Sequence, residues 1–274
     1  MYYRHELDIK YPIKSDEHMI TVKHLRDVNF DENFPYRDRT LWYKIKRGLY
    51  FILINTIVFP LARIKHGLRI YGRKNLRKNK ALLKNGAITI SNHVMMWDFL
   101  CILRAIRPHL VFFPAWPTNF EGPNAGCIRI SGGIPVPDKH IRAKLKFKEA
   151  MESVLEEGKW LHVFPEGSMW WYYPDIRPFK PTAFKLAVKF NKPIVPISIS
   201  FRPPKGIYKL FGKKPQADLH IGEPLLPDFT LSKDEAVTKL QLDASRIMQE
   251  MNGIKEGDPT FSLNQNISEY KKTM

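Results

Sequence analysis

An α/β domain, with a mixed, largely parallel sheet flanked by helices, is what this sequence predicts, and three observations carry the prediction. Short β-rich runs alternate with helical patterns from about residue 85 onward, several of those runs are apolar throughout, and each long helical stretch carries a single apolar stripe. Strands buried on both faces read as continuous apolar runs, so helices are expected to cover both sides of the sheet. The alternation itself is the pattern of an α/β layer architecture. With 274 residues, 44% apolar and 26% charged, the chain can bury one substantial core.

The strands are read at Ala87–Ile90, Leu110–Phe113, Ile134–Val136, Leu161–Phe164, Ile194–Ile199 and Ala217–Ile221. Between them Asp138 can cap a helix that runs to about Glu157 and stops at Gly158. A second long helix spans Ser232 to Asn252, where Ser232 and Glu235 have capping-box spacing and Gly253 closes the end. Ahead of the α/β domain, assigned to residues 67–274, residues 1–40 read as a polar, loosely structured arm. Residues 41–66 read as an apolar, cation-flanked helix at a membrane interface. The apolar run within it, Leu49 to Ala62, would extend roughly 21 Å as a helix, short of a bilayer core of roughly 30 Å. Asn55 and Pro60 interrupt it. Lys44, Lys46 and Arg47 precede it and Arg63 and Lys65 follow, which suits a helix lying in the interface with its cations in the headgroups. The other reading is an ordinary buried helix. The polar first forty residues do not read as a signal peptide.

The net charge is +17 and the pI about 9.8. Such a field attracts nucleic acid, anionic lipid or an acidic carrier without choosing among them. Its densest run, Arg73 to Lys80, reads as a solvated loop, the alternative being a dedicated patch. Cys101 and Cys127 form no CxxC pair, so neither a disulfide framework nor a zinc site is expected.

Two segments can carry chemistry. Ser91-Asn92-His93-Val94-Met95-Met96-Trp97-Asp98 follows the first strand, at the strand end where α/β sheets bind ligands. Residues five apart lie on different faces of a regular helix, so His93 and Asp98 meet only if the chain turns between them. Asp98 could then fix one imidazole nitrogen and leave the other to take a proton from a hydroxyl. Taken alone, a structural histidine beside a helix-capping aspartate is the better reading. Phe164-Pro165-Glu166-Gly167-Ser168 again follows a buried strand. There Glu166 reads either as a working carboxylate or as a loop residue bonded to backbone. Trp170-Trp171-Tyr172-Tyr173 reads as an aromatic entrance at headgroup level, the alternative being core packing of two of the four.

Together these segments resemble the lysophosphatidic acid acyltransferases and their glycerophospholipid relatives. Asn92, His93 and Asp98 match that family's Asn-His, four residues, then Asp. Gly132 to Asp138 resembles its G-x-I-P-V-x-R block, and Phe164 to Met169 resembles F-P-E-G-T-R. Phe179-Lys180-Pro181-Thr182 resembles F-K-x-G, and Val195-Pro196-Ile197 matches a V-P-I strand. The blocks come in the family's order over roughly residues 65–250. Two positions depart: Asp138 and Met169 stand where the family has arginines associated with the acceptor phosphate. Arg129, Lys139, Arg142, Arg177 and Lys180 are near in sequence and could take their place.

The resemblance implies a fatty acyl transfer from acyl-CoA or acyl carrier protein to the hydroxyl of a lysophospholipid, 1-acylglycerol-3-phosphate first among them. His93 would be the general base and Asp98 its orienting partner. Asn92, Glu166, Gly167, Ser168, Arg177, Lys180, Arg129 and Arg142 would serve the substrates, with backbone N–H groups around Asn92–Val94 or Gly167 facing the oxyanion. No metal or prosthetic group is implied, nucleic acid is not an expected partner, and the location is the cytoplasmic face of a membrane, held peripherally. An acyl thioesterase, an acyltransferase with a non-phosphate acceptor, and a binding module without activity are the alternatives.

Overall fold

The computed structural model describes residues 3–5, 7–15, 17–138, 140–211 and 214–255. Seven strands form one sheet: β1 (Arg69–Tyr71), β2 (Ile88–Ser91), β3 (Val111–Ala115), β4 (Gly133–Pro135), β5 (Trp160–Val163), β6 (Ile194–Arg202) and β7 (Gln216–Ile221). Their order is β1-β7-β6-β2-β5-β3-β4. Every neighbouring pair is parallel except β6 and β7. The six strands read from sequence are present to within a few residues. β1, three residues whose outer two are exposed, adds an edge the apolar pattern did not show.

Helices cover both faces. On one, α7 (Ile141–Glu156), α8 (Thr182–Phe190) and α9 (Lys233–Met251) pack Met151, Phe184, Leu240 and Met248 onto Ile88, Ile90, Leu161 and Ile194. On the other, α4 (Asp98–Ala105) and the N-terminal helix pack Ile102, Phe51 and Phe59 against Val111, Val195, Ile197 and Ile199. The capping box of Ser232 and Glu235 opens α9, and Gly158 ends α7 in the left-handed conformation, φ +65°. α7 starts two residues later than expected, at Ile141 after a His140 N-cap, so Asp138 is an exposed loop residue and not the cap. The basic run is not a loop either. It forms a short helix, α3 (Arg73–Lys78), anchored by buried Leu76 and by an Arg73 hydrogen bond to the Arg104 carbonyl.

The N-terminal helix corrects the length argument. α1 (Leu41–Leu53) passes through a π-helical turn (Ile54–Val58) into α2 (Phe59–His66) without a break. Asn55 donates to the Phe51 carbonyl at 2.6 Å instead of interrupting the helix. Pro60 falls in the first turn of α2. Leu41–Lys65 spans 25 residues and contains an 18-residue stretch of mean hydropathy 1.4, long and apolar enough to cross a membrane by length and composition. At 1.5 Å per residue it extends roughly 37 Å. One side packs on the domain through Phe51, Ile54 and Phe59. Arg47 is buried there, donating to the carbonyls of Val111 at 2.6 Å and Ser131 at 3.2 Å. The opposite side exposes Leu41, Trp42, Ile45, Leu49, Ile52, Leu53, Ile57, Leu61 and Ile64.

The arm has no helix or strand among its described residues, yet it is not loose. Phe30 and Tyr36 are buried, Arg37 grips Glu157 at 2.6 Å, and the Leu25 amide bonds to the Glu121 carbonyl at 2.9 Å. Aromatic anchors at a spacing of about six residues hold it, a pattern with neither helical nor strand periodicity.

Candidate active site

β2 and β5 are parallel neighbours, with Ile90 opposite Val163. The loops leaving their carboxyl ends therefore emerge side by side. The connections leaving these two strands run opposite ways along the sheet, from β2 to β3 on one side and from β5 to β6 on the other, which makes the kind of switch point where open α/β sheets place ligands. Asp98 opens α4 and is 1% exposed. One oxygen accepts from His93 Nδ1 at 2.6 Å, Val94 N at 3.1 Å and Met95 N at 3.4 Å; the other accepts from Phe99 N at 2.6 Å. So many donors, plus the helix N-terminus, hold the carboxylate in one orientation. A carboxylate only accepts, so His93 Nδ1 carries the proton and Nε2 presents its lone pair. The ring stacks on Phe164 at 3.9 Å and keeps 25% of its side-chain surface exposed. Among the described residues Nε2 has no hydrogen-bond partner.

Glu166 ties the two loops together. Fully buried, it accepts from the His93 amide at 3.0 Å, the Arg177 amide at 2.9 Å and the Arg177 guanidinium at 2.8 Å. Gly167 follows at φ +84°, and a Cβ there would stand 2.9 Å from Lys180 Nζ. The Lys180 amide in turn bonds to the Pro165 carbonyl at 2.7 Å. The structure thus gathers His93, Asp98, Asn92, Glu166, Gly167, Ser168, Arg177 and Lys180 at the carboxyl ends of β2 and β5.

Several expected roles change. Asn92 is fully buried and clamps β2 to β6, its amide exchanging 2.8 Å hydrogen bonds with both backbone groups of Ile199, so it has nothing left for a substrate. Glu166 serves the loop, and Ser168, 1% exposed, donates to the Ser15 carbonyl at 3.0 Å. Arg177 is consumed by Glu166, by Ser168 Oγ at 2.8 Å, by the Ser168 carbonyl and by the Ser15 carbonyl at 2.6 Å; it is not placed for a phosphate. Arg129 and Arg142 find partners in the arm, at the Pro35 carbonyl and at Glu32, away from the catalytic loops. Lys139 lies outside the described residues. Two of the expected oxyanion amides are engaged within the loops, Val94 N by Asp98 and Gly167 N by the Phe164 carbonyl, as is His93 N by Glu166. Nor do the aromatics form an entrance. Trp170 is buried, stacked on Tyr11 and bonded through Nε1 to the Glu17 carbonyl, while Tyr173 meets Tyr11 edge-on at 4.9 Å.

Sequence reading passed over His162. It sits fully buried in β5, bonded to Thr89 Oγ1 at 2.9 Å and edge-on to Phe164 at 4.5 Å. Burial first, and then the nearby His93, push its pKa down to about 3, so it stays neutral. The signal was available: an imidazole in an otherwise apolar buried run. Near the pair, Ser91, Ser168 and Cys101 are all buried, and burial followed by the Asp98 charge pushes the Cys101 thiol up to about 12. None is placed as a nucleophile. Among the described residues no three His, Cys, Asp or Glu side chains cluster in a way that could hold a metal ion.

A mixed, mostly parallel sheet thus carries a His–Asp pair and a glutamate-tied second loop side by side at its carboxyl edge. Residues 67–200 match the model of the family described as Acyltransferase. The chain carries an acyltransferase domain over that stretch, just under half of its length. It is also similar to the crystal structure of the 1-acyl-sn-glycerophosphate (LPA) acyltransferase PlsC from Thermotoga maritima. The two are 25% identical over 69% of this chain and 73% of that one, with a TM-score of 0.49. Comparison with curated proteins gives no match.

Proposed function

We propose that the protein moves a fatty acyl group from acyl-CoA or acyl carrier protein to the hydroxyl of a lysophospholipid, 1-acylglycerol-3-phosphate first among candidates. The observation that carries this reading is the His93–Asp98 pair, with Nε2 unbonded among the described residues and the nearby Ser91, Ser168 and Cys101 all buried. Nε2 takes the acceptor's hydroxyl proton as the oxygen attacks the thioester carbonyl. The tetrahedral adduct collapses, the carbon–sulfur bond breaks, and the imidazolium returns its proton to the departing thiolate. Asp98 holds the tautomer and stabilises the imidazolium that forms. Lys180, whose ammonium lies over Gly167, is the cation assigned to the acceptor phosphate. α1 and α2 rest their exposed apolar side in the membrane interface at the cytoplasmic face, so that acceptor enters sideways from the bilayer.

The test is incubation of purified protein with labelled acyl-CoA and acyl carrier protein against a panel of lysolipids, products identified by mass spectrometry. Transfer to 1-acylglycerol-3-phosphate, lost in His93→Ala, is the expected result. Thioester hydrolysis indifferent to every lysolipid would make the protein a thioesterase instead. Transfer only to neutral acceptors would remove the phosphate assignment.

A further inference from the structure

At the other end of the sheet, before β2, β3 and β5 begin, lies a cleft of about 1230 Å³. Its walls come from α1, from the turn before β2, from the segment entering β3, from the start of β5 and from the last residues of the arm. No residue of the catalytic loops lines it. β2 runs from this end to His93, and four residues at about 3.3 Å each put the two sites roughly 13 Å or more apart. Seven lining residues are lysine or arginine, and two, Asp38 and Glu157, are acidic. Arg37 and Arg47 belong to its walls, both guanidinium groups held inside the protein, the Nε of each buried without a hydrogen-bond partner. At the rim, Lys44, Lys80 and Lys84 are exposed, and among the described residues their ammonium groups form no ion pair. Between these charges the lining is apolar: Leu83, Leu110, Phe112 and Trp160.

We propose that this cleft is a second lipid site, taking the anionic headgroup and upper acyl chain of a membrane phospholipid. Charge complementarity favours an anion. The volume is at the large end for ligand pockets, far more than a bare phosphate fills, and the apolar walls suit a chain. Continuity with α1 decides for a lipid over a nucleic acid. At about 100° per residue, Gly48 in the cleft falls roughly 40° around the helix from exposed Ile52 and roughly 60° from exposed Ile45. A lipid whose headgroup meets Lys44, Lys80 and Lys84 can therefore run its chains past Gly48 into the layer that covers the apolar side of α1. This placement rests on the interfacial reading of α1, although the site itself can be tested without a membrane.

Gly48 offers the means. A Cβ built there meets nothing within 4 Å, so the helix accepts a larger residue while the mouth of the cleft fills. Isothermal titration calorimetry on the full chain uses dihexanoylphosphatidylglycerol below its critical micelle concentration, beside the phosphatidylcholine analogue and inorganic phosphate. The phosphatidylglycerol lipid should bind at least tenfold more tightly than either comparator. Gly48→Leu, and separately the pair Lys80→Gln with Lys84→Gln, should each weaken it at least tenfold at unchanged or higher Tm. No binding, binding untouched by both variants, or equal binding of phosphatidylcholine overturns the proposal, and so does inorganic phosphate binding as tightly as the lipid. If vesicles fail to retain the protein while the soluble lipid still binds, the interfacial reading falls and the cleft stands.

Discussion

Replacing Glu166 by alanine separates a residue that organises the loops from one that touches the acceptor. In the folded protein its carboxylate neutralises Arg177, the side chains being 0% and 2% exposed, and it accepts the His93 amide as well. Alanine leaves a guanidinium buried without its counter-charge, a loss that costs about 3–5 kcal/mol in comparable buried pairs. For a domain of this size about 1 kcal/mol shifts Tm by roughly 2–4 °C, so a fall of roughly 6–20 °C is expected. The His93 amide loses its tether too, so kcat should fall while the acceptor KM changes little. Circular dichroism melts and initial rates across acceptor concentrations measure both. Adding Arg177→Met to Glu166→Gln should restore part of the lost stability, because the orphaned charge is then removed. A Tm within about 2 °C of the parent, combined with an acceptor KM raised tenfold, would refute the loop role and return Glu166 to the substrate.

Three further outcomes follow from the same geometry. His93→Ala should lower turnover about 10²–10⁴-fold at unchanged Tm, and near-normal turnover would remove the general-base mechanism. His162 has a folded pKa of about 3 against an unfolded value near 6.5, so its stabilising contribution is complete above pH 6.5 and declines as pH falls toward 3. Between pH 6.5 and 4.5 this amounts to about 2 kcal/mol, and urea unfolding should show wild type losing that much more than His162→Gln; equal losses would mean the imidazole is not held neutral. Replacing exposed Ile45, Ile52 and Ile57 with serine should cut vesicle co-sedimentation at least tenfold, each side chain contributing about 1.5–3 kcal/mol when fully buried. Undiminished sedimentation would place the contact elsewhere.

What the sequence disclosed is what local patterning can encode. Apolar runs gave six of the seven strands because strands buried on both faces leave no polar interruption. The capping box of α9 needed only three residues' separation. β1 escaped because its edge position leaves Arg69 and Tyr71 exposed, so its pairing with β7 has no apolar signature. The N-terminal helix was read at residues 41–66, where it lies, but its apolar reach was read short for a related reason: Lys44, Lys46 and Arg47 looked like the end of an apolar run. Arg47 instead turns inward to two carbonyls and lies 4.1 Å from the Phe112 ring, a use of charge that depends on a strand 64 residues away.

The same division runs through the site. His93 and Asp98 lie five residues apart, and their meeting required only that the chain turn between them. Glu166 was legible as an oddly placed carboxylate, but its partners were not, since Arg177 and the His93 amide reach it only because β2 and β5 pair in parallel. A basic side chain near a catalytic motif in sequence is ambiguous for that reason. Of the four cations assigned to the phosphate among the described residues, one neutralises a buried carboxylate, two hold the arm, and Lys180 carries its ammonium over Gly167. The arm completes the logic. Ser15 and Glu17 offer carbonyls to Ser168, Arg177 and Trp170, so the positions following Glu166 are shaped by residues about 150 places earlier. Met169, where the family carries an arginine, is buried in that packing, and an arginine there would bring a second guanidinium beside Arg177. The departure from the family motif and the presence of the arm are then one structural fact: the arm closes over the loop that follows Glu166.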